Sequence, residues 1–311
     1  MKENEAGGLG AAFAPVLRRI GEIVLGKEEQ VEIALACLLA RGHLLIEDIP
    51  GLGKTVLAHA LGATLGLQHR RVQCTSDLLP GDITGSSVYD RDKGEFRFID
   101  GPVFTQLLLA DEINRATPKC QSALLEAMEE RQVSVEGKAR ALPRPFFVIA
   151  TQNPTEQSGT FPLPESQLDR FLMRVSMGYP GRDAEMELFR GEDRRRMLAK
   201  LEPVLTPEEL IELQSHVDEV KASDAVLDYL YRILAFTRES DAFQAGLSTR
   251  AGLGLLRAAK AWAYLHGEER LLPGDIQKVL PAVAGHRLTP AAGRRSAEEI
   301  GEEILAKVDV D

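Results

Sequence analysis

The segment Asp48-Ile49-Pro50-Gly51-Leu52-Gly53-Lys54-Thr55 carries the residue types needed to hold a polyphosphate. It follows the apolar run His43-Leu44-Leu45-Ile46-Glu47 and precedes Val56-Leu57-Ala58-His59-Ala60-Leu61, so a strand, a glycine-rich turn and a helix are expected in that order. In that context consecutive backbone N–H groups face phosphate oxygens, Lys54 reaches the β and γ phosphates, and the Thr55 hydroxyl holds Mg2+. The strict pattern begins with glycine, and this chain has Asp48 there. Aspartate tolerates unusual backbone angles better than most residues, so the departure is mild, although it adds a carboxylate near the phosphates.

A second apolar run ends in two acids, Leu107-Leu108-Leu109-Ala110-Asp111-Glu112. If it lies parallel to the first strand and beside it, Asp111 enters the Mg2+ shell and Glu112 meets the water that attacks the γ phosphate. Without the upstream phosphate loop, such a pair is more often a helix-start signal. A third run, Phe146 to Thr151, ends in Gln152-Asn153-Pro154, and the Asn153 amide can orient the attacking water; alone, Asn-Pro is a turn. Together the three strand ends make one nucleotide site at the carboxyl edge of a parallel sheet.

The elements that must position these residues are legible as hydrophobic periodicity. Glu29 to Leu39 has helical spacing ended by Arg41-Gly42, Arg71-Val72-Gln73 is a further short strand, and Gln121 to Arg131 is helical. Short apolar runs interleaved with helices indicate a mostly parallel sheet covered on both faces. Two stretches read as hairpins: Thr84 to Ile99, turning at Asp90-Arg91-Asp92-Lys93-Gly94, and Gln132 to Arg140, turning near Glu136-Gly137-Lys138. From about Pro180 the apolar spacing is helical throughout, with helix starts at Thr206-Pro207-Glu208-Glu209 and after Leu272-Pro273-Gly274-Asp275. The expected organisation is an α/β nucleotide domain over 1–178 and a small all-helical domain over 179–311, joined at Gly178-Tyr179-Pro180-Gly181. There is no repeat and no low-complexity tract.

The chain has 311 residues, 44% of them apolar and 27% charged, which excludes disorder as the main state. With 37 Lys and Arg against 47 Asp and Glu its formal charge is −10, so a generally basic nucleic-acid binder is excluded and no nucleic acid is expected as partner. Ala34 to Ala40 is the longest apolar stretch in the first part of the chain, far below the roughly 20 residues of a membrane span, and Met1 to Gly8 lacks the layout of a signal peptide. The reading is a cytoplasmic protein. Cys37, Cys74 and Cys120 lack metal spacing and read as core residues, and the six histidines are scattered. Arg194-Arg195-Arg196 reads as a solvated helix face, Arg294-Arg295 as part of a charged surface helix, and Trp262 and Tyr264 as packing residues.

At this point the chain resembles an AAA+ ATPase, and within that superfamily the MoxR family. The Lys54 loop, Val56 included, matches Walker A, Asp111 and Glu112 match Walker B, and Asn153 matches sensor 1. Three stretches are more specific to MoxR: Asp111 to Ala116, Ala123 to Arg131, and Pro162 to Phe171. The resemblance runs from about Ile23 to Val283.

What it implies goes beyond spacing. The fold implied is a P-loop parallel sheet flanked by helices, the AAA+ core, followed by a small all-helical lid domain. Arg170 matches the arginine finger, which reaches a neighbouring subunit's nucleotide; a local salt bridge to Asp169 or Glu165 is the alternative. Arg250 matches sensor 2 and is expected at the γ phosphate of its own subunit; a solvated helix-start arginine is the alternative. Val24-Leu25-Gly26 resembles the segment lining the adenine, Arg115 is a candidate second intersubunit arginine, and the two hairpins correspond to inserts near the ring pore or face. The resemblance further implies ATP and Mg2+ as cofactors, ATP hydrolysis, a homo-oligomeric, hexameric ring, and remodelling or maturation of a protein client, with a von Willebrand factor A domain protein as candidate partner. A DNA motor or chelatase-type ATPase, and a nucleotide-gated scaffold with negligible hydrolysis, are the alternatives; mixed charge at the hairpin tips disfavours the first, and Glu112, Asn153 and Arg170 disfavour the second.

Overall fold

A computed structural model describes residues 13–154, 159–191, 194–293 and 295–310, with no side-chain description for Arg195. Nine strands occur among the described residues: β1 (Leu44–Glu47), β2 (His69–Gln73), β3 (Gly85–Asp90), β4 (Glu95–Asp100), β5 (Leu107–Asp111), β6 (Gln132–Val135), β7 (Lys138–Ala141), β8 (Phe147–Gln152) and β9 (Met173–Val175). Five form one parallel sheet in the order β2-β5-β8-β1-β9. The other four are the two expected antiparallel hairpins, β3–β4 and β6–β7.

Alternation along each central strand divides the apolar side chains between two cores. Leu44, Ile46, Leu107, Leu109, Phe147 and Ile149 face one side, with the helices Glu28–Leu39 and Lys54–Thr64 and the helical half of the chain. Leu45, Leu108, Ala110, Val148 and Ala150 face the other, against Leu124, Leu125 and Met128 of the helix Pro118–Glu130. Strands buried on both faces carry near-continuous apolar runs, which is why those runs stand out in the sequence. The edge strand β9 was not anticipated: it is three residues long, contains Arg174, and pairs only with β1.

Beyond the joint the described elements are helices, with two isolated bridges and no ladder. Helices begin at both expected starts: Thr206 and Glu209 exchange a capping box, and the Asp275 carboxylate accepts from Leu272 N–H at 2.8 Å. Trp262 and Tyr264 are core residues, and all three cysteines are buried free thiols. Arg194 departs from its expected solvated role: it pairs with Glu187 and donates to the Glu22 carbonyl at 2.8 Å. Arg295 precedes the helix Ala297–Leu305 and pairs with its Glu303, and Arg294 lies outside the described residues. No described helix is long and apolar enough to cross a membrane.

Arg287, just past the helix Pro273–Ala284, ties the helical half to the segment before β9. Its guanidinium donates to Asp169 Oδ1 at 2.7 Å and to the carbonyls of Asp169, Phe171, Leu172 and Val283. Burial pushes its pKa below the ordinary range and Asp169 pulls it back. Arg287→Ala leaves these acceptors unpaired and is expected to cost about 3–5 kcal/mol. Arg287→Lys, a point donor in place of a planar fork, is expected to recover only a minor part of that loss. Chemical denaturation of the two variants checks both expectations.

Candidate functional site

The turn after β1 is built for a negatively charged ligand. Gly51 and Gly53 have φ of +89° and +84°, which side-chain-bearing residues rarely adopt, and no atom lies within 4 Å of where a Cβ on either would stand. The result is an open cradle of bare backbone. Gly53 caps the helix Lys54–Thr64 without a side-chain bond, so the helix presents its amino end and its dipole to the same cradle. Lys54 is 9% exposed and its ammonium donates to the Asp48 carbonyl at 2.5 Å. Burial pushes its pKa below the ordinary range, against the pull of Asp48, Asp111 and Glu112. A buried cation beside an open glycine cradle fits a polyphosphate. The Thr55 hydroxyl and the Asp111 carboxylate are hard oxygen donors of the kind that suit Mg2+.

The Asp48 carboxylate binds the segment after β9 and the next amide of its own loop. Oδ2 accepts from the Ser176 hydroxyl at 2.8 Å and from Gly178 N–H at 2.7 Å, and Oδ1 accepts from Ile49 N–H at 2.8 Å. Burial pushes this carboxyl up, but the three hydrogen bonds and the Lys54 charge together hold it below the usual range. The backbone of Asp48 is not left-handed, so tolerance of unusual angles, the reason offered by its residue type, is not what places it there.

The register carries Asp111 and Glu112 to the same edge, because β5 pairs with β8 and β8 pairs with β1 in parallel. Glu112 adopts a left-handed conformation, φ 57° and ψ 52°, a strained backbone for a non-glycine residue at the strand end. Thr151 supports both acids: its hydroxyl donates to Asp111 Oδ1 at 2.6 Å and accepts from Glu112 N–H at 2.8 Å. Arg71 donates twice to Asp111 Oδ2, at 2.6 and 3.1 Å. Gln73 donates to Glu112 Oε2 at 2.9 Å, and Arg115 pairs with the same oxygen at 3.3 Å. The Arg115 expected between subunits is thus engaged within its own chain. Arg71, Gln73 and Thr151 were missed by sequence reasoning; the available signal was that Arg71 and Gln73, two apart in one short strand, share a face opposite the buried Val72. Asn153 follows β8, is buried, and receives the Asn114 side-chain amide on its backbone carbonyl at 3.2 Å.

Arg170 and Arg250 lie elsewhere. Leu172 N–H donates to the His43 carbonyl and Leu44 is opposite Met173, so Arg170 sits at the amino edge of β1, whereas the phosphate loop follows its carboxyl end. His43 and Asp48 are separated by five residues of nearly extended chain, roughly 16 Å. Arg170 pairs with Glu129 Oε2 at 3.1 Å, not with Asp169 or Glu165, and Arg250 pairs with Glu129 Oε1 at 3.0 Å and with Asp169 at 3.8 Å. The expectation that Arg250 meets the phosphates of its own chain is therefore corrected: the helix Thr249–Leu265 begins over the amino edge and delivers Arg250 beside Arg170. Val24 is buried, and Gly26, at φ +64°, abuts the helix Arg182–Arg190: a Cβ on Gly26 would stand 2.8 Å from that of Ala184. Leu25 lies between them, half-buried. Among the described residues no group of three His, Cys, Asp or Glu is placed to hold a metal, and His59 and His69 simply make ring contact at 4.8 Å.

Comparisons with known proteins identify relatives of the whole chain and of its fold. The family model for ATPases associated with various cellular activities (AAA) matches residues 43–173, and that for the AAA lid domain matches residues 235–307. The chain is 44% identical to the uncharacterized protein YeaC of Bacillus subtilis, over 94% of this chain and 93% of that one. It is 39% identical to the chaperone MoxR1 of Mycobacterium tuberculosis, over 96% of this chain and 82% of that one. A crystal structure from Cytophaga hutchinsonii superposes with a TM-score of 0.89 at 35% identity, covering 97% of this chain and 96% of that one.

Thr151 is fully buried and serves both acids, so Thr151→Val removes two hydrogen bonds without changing shape. The cost expected in urea denaturation is about 1–3 kcal/mol, because Glu112 N–H and an Asp111 oxygen lose their buried partner. Thr151→Ser keeps the hydroxyl and is expected to recover most of it.

Proposed function

Because this chain belongs to the MoxR family of AAA+ ATPases, we propose that it hydrolyses ATP with Mg2+ in a hexameric ring and uses the cycle to remodel or mature a protein client. The observation that carries the reading is the division of one set of catalytic groups between two edges of the sheet. Lys54, Asp111, Glu112 and Asn153 stand at the carboxyl edge, and Arg170 and Arg250 at the amino edge. A closed head-to-tail ring joins one such edge to the other and completes a site between two subunits.

In this reading the backbone from Asp48 to Val56 wraps the triphosphate, Lys54 leaves the Asp48 carbonyl for phosphate oxygens, and Val24, Leu25 and Gly26 line the adenine. Thr55 and Asp111 would hold Mg2+, which would supply neutralisation of the phosphate charge. Glu112 accepts the proton of the attacking water, and Asn153 orients that water. Release of Glu112 from Gln73 and Arg115 precedes the step, since its Oε2 is occupied by both. Arg170 and Arg250, reaching across from the next subunit, stabilise negative charge developing on the transferred phosphoryl.

A protein client is supported by the β3–β4 hairpin, which exposes the cross-strand pair Tyr89 and Phe96, ring centroids 5.3 Å apart, beside the mixed charges Asp90, Arg91, Asp92 and Lys93. A nucleic-acid motor calls for a basic tip instead. We place the protein in the cytoplasm, with a von Willebrand factor A domain protein as candidate partner.

Glu112→Gln keeps the loop and its lysine and is expected to bind ATP while turnover falls by about two orders of magnitude or more; turnover near wild type removes Glu112 from its role. Arg170→Ala and Lys54→Ala are each expected to be inactive. When they are mixed, an intact arginine meets an intact phosphate loop at some interfaces, and part of the activity returns. No recovery on mixing contradicts a site shared between subunits.

A further inference from the structure

The family pattern leaves Asp48 unexplained, since neither the phosphate cradle nor the backbone angle requires an aspartate. Its surroundings suggest another task. One carboxylate oxygen holds the Ser176 hydroxyl and Gly178 N–H, both in the joint between β9 and the first helix of the helical half, Arg182–Arg190. Gly178 has φ of +60° with open space around its Cβ position, so glycine serves there to present the amide and not to relieve a clash. One residue further on, the Tyr179 carbonyl accepts from the buried Lys27 ammonium at 2.8 Å. The joint is therefore pinned at two successive points, by Asp48 from the phosphate loop and by Lys27 from the start of the helix Glu28–Leu39.

The backbone of Asp48 has a second set of contacts. Its carbonyl is the acceptor for Lys54 Nζ, and its N–H donates to the Gln152 carbonyl at 3.1 Å, next to Asn153. One residue thus touches the lysine, the end of β8 and the joint. When Lys54 turns to a phosphate, the Asp48 carbonyl loses its cation, and the carboxylate on the same residue carries any displacement directly to Ser176 and Gly178. The helix that follows packs on Gly26, so movement of the joint bears on the Val24-Leu25-Gly26 segment that the functional reading above sets at the adenine.

We propose that the Asp48 carboxylate ties the phosphate loop to the joint at Ser176–Gly178 and transmits occupancy of the loop to the helix Arg182–Arg190. Asp48 is in this role a positioning residue. The inference rests on the nucleotide-binding reading above for its second half, transmission; the tie itself exists without ligand.

Hydrogen exchange measured by mass spectrometry on the full chain, over peptides covering residues 176–190, separates the two halves. Ser176→Ala alters an exposed side chain outside the phosphate loop, and Asp48→Asn removes the charge while preserving size. Without nucleotide, both variants are expected to exchange about fivefold or more faster than wild type at the joint, the factor for losing roughly one hydrogen bond. Ser176→Thr, which restores a hydroxyl, is expected to return the wild-type rate. At saturating non-hydrolysable ATP analogue, with occupancy measured separately by a fluorescent nucleotide, wild type and Ser176→Thr are expected to change their exchange over 176–190, and Ser176→Ala and Asp48→Asn to change it less than half as much. Wild-type exchange in both variants without nucleotide overturns the tie. Normal nucleotide response in saturated variants overturns transmission. Failure of wild type to bind nucleotide overturns the functional reading and transmission with it, and leaves the ligand-free result to decide the tie.

Discussion

Parallel pairing of β1 with β8 and β9 governs the layout of this molecule. Parallel strands send all their carboxyl ends to one edge and all their amino ends to the other, so residues after β1, β5 and β8 must converge, and residues before β9 must lie opposite them. Lys54, Asp111, Glu112 and Asn153 obey the first condition, and Arg170 the second. The same hydrogen bonds that build the sheet hold the two sets of polar and charged groups roughly a strand length apart. Nothing flexible separates them: β1 is four residues, three of them fully buried.

At each edge, charges are held by networks and not left as isolated pairs. On the carboxyl side Thr151, Arg71, Gln73 and Arg115 occupy oxygens of Asp111 and Glu112. On the amino side Glu129 gives one oxygen to Arg170 and the other to Arg250, while Asp169 engages Arg250 and the buried Arg287. The net charge of −10 is a property of the chain as a whole, and the cations in these networks are local exceptions to it. Arg287 shows how far such a network reaches: one guanidinium satisfies carbonyls on both sides of the seam between sheet and helical half.

Much of this was legible in the residues, for a physical reason. A strand buried on both faces needs an unbroken apolar run, a phosphate turn needs glycines at left-handed positions, and a capping group favours a helix start, so Leu107–Ala110, Gly51 and Gly53, and Thr206–Glu209 announce themselves. What stayed hidden depends on register. β9 is too short and too polar to show a pattern, and the partnership of Arg71 and Gln73 with the acids exists only because β2 lies beside β5 with Gln73 opposite Asp111. Arg250 illustrates the same limit: its place at a helix start was readable, but the edge over which that helix begins was not. Asp48, conspicuous as a departure from a pattern, became intelligible only when its side chain was seen to face Ser176 and Gly178.

If the two edges belong to one catalytic site, a subunit on its own lacks half of it. The most direct measurement is ATP turnover per subunit as a function of protein concentration, with the assembly state followed in the same samples by light scattering. Specific activity is expected to fall steeply on dilution, in step with loss of the assembled species, and to approach zero for the monomer. Turnover per subunit that stays constant down to concentrations where only monomer remains would contradict a site completed between subunits.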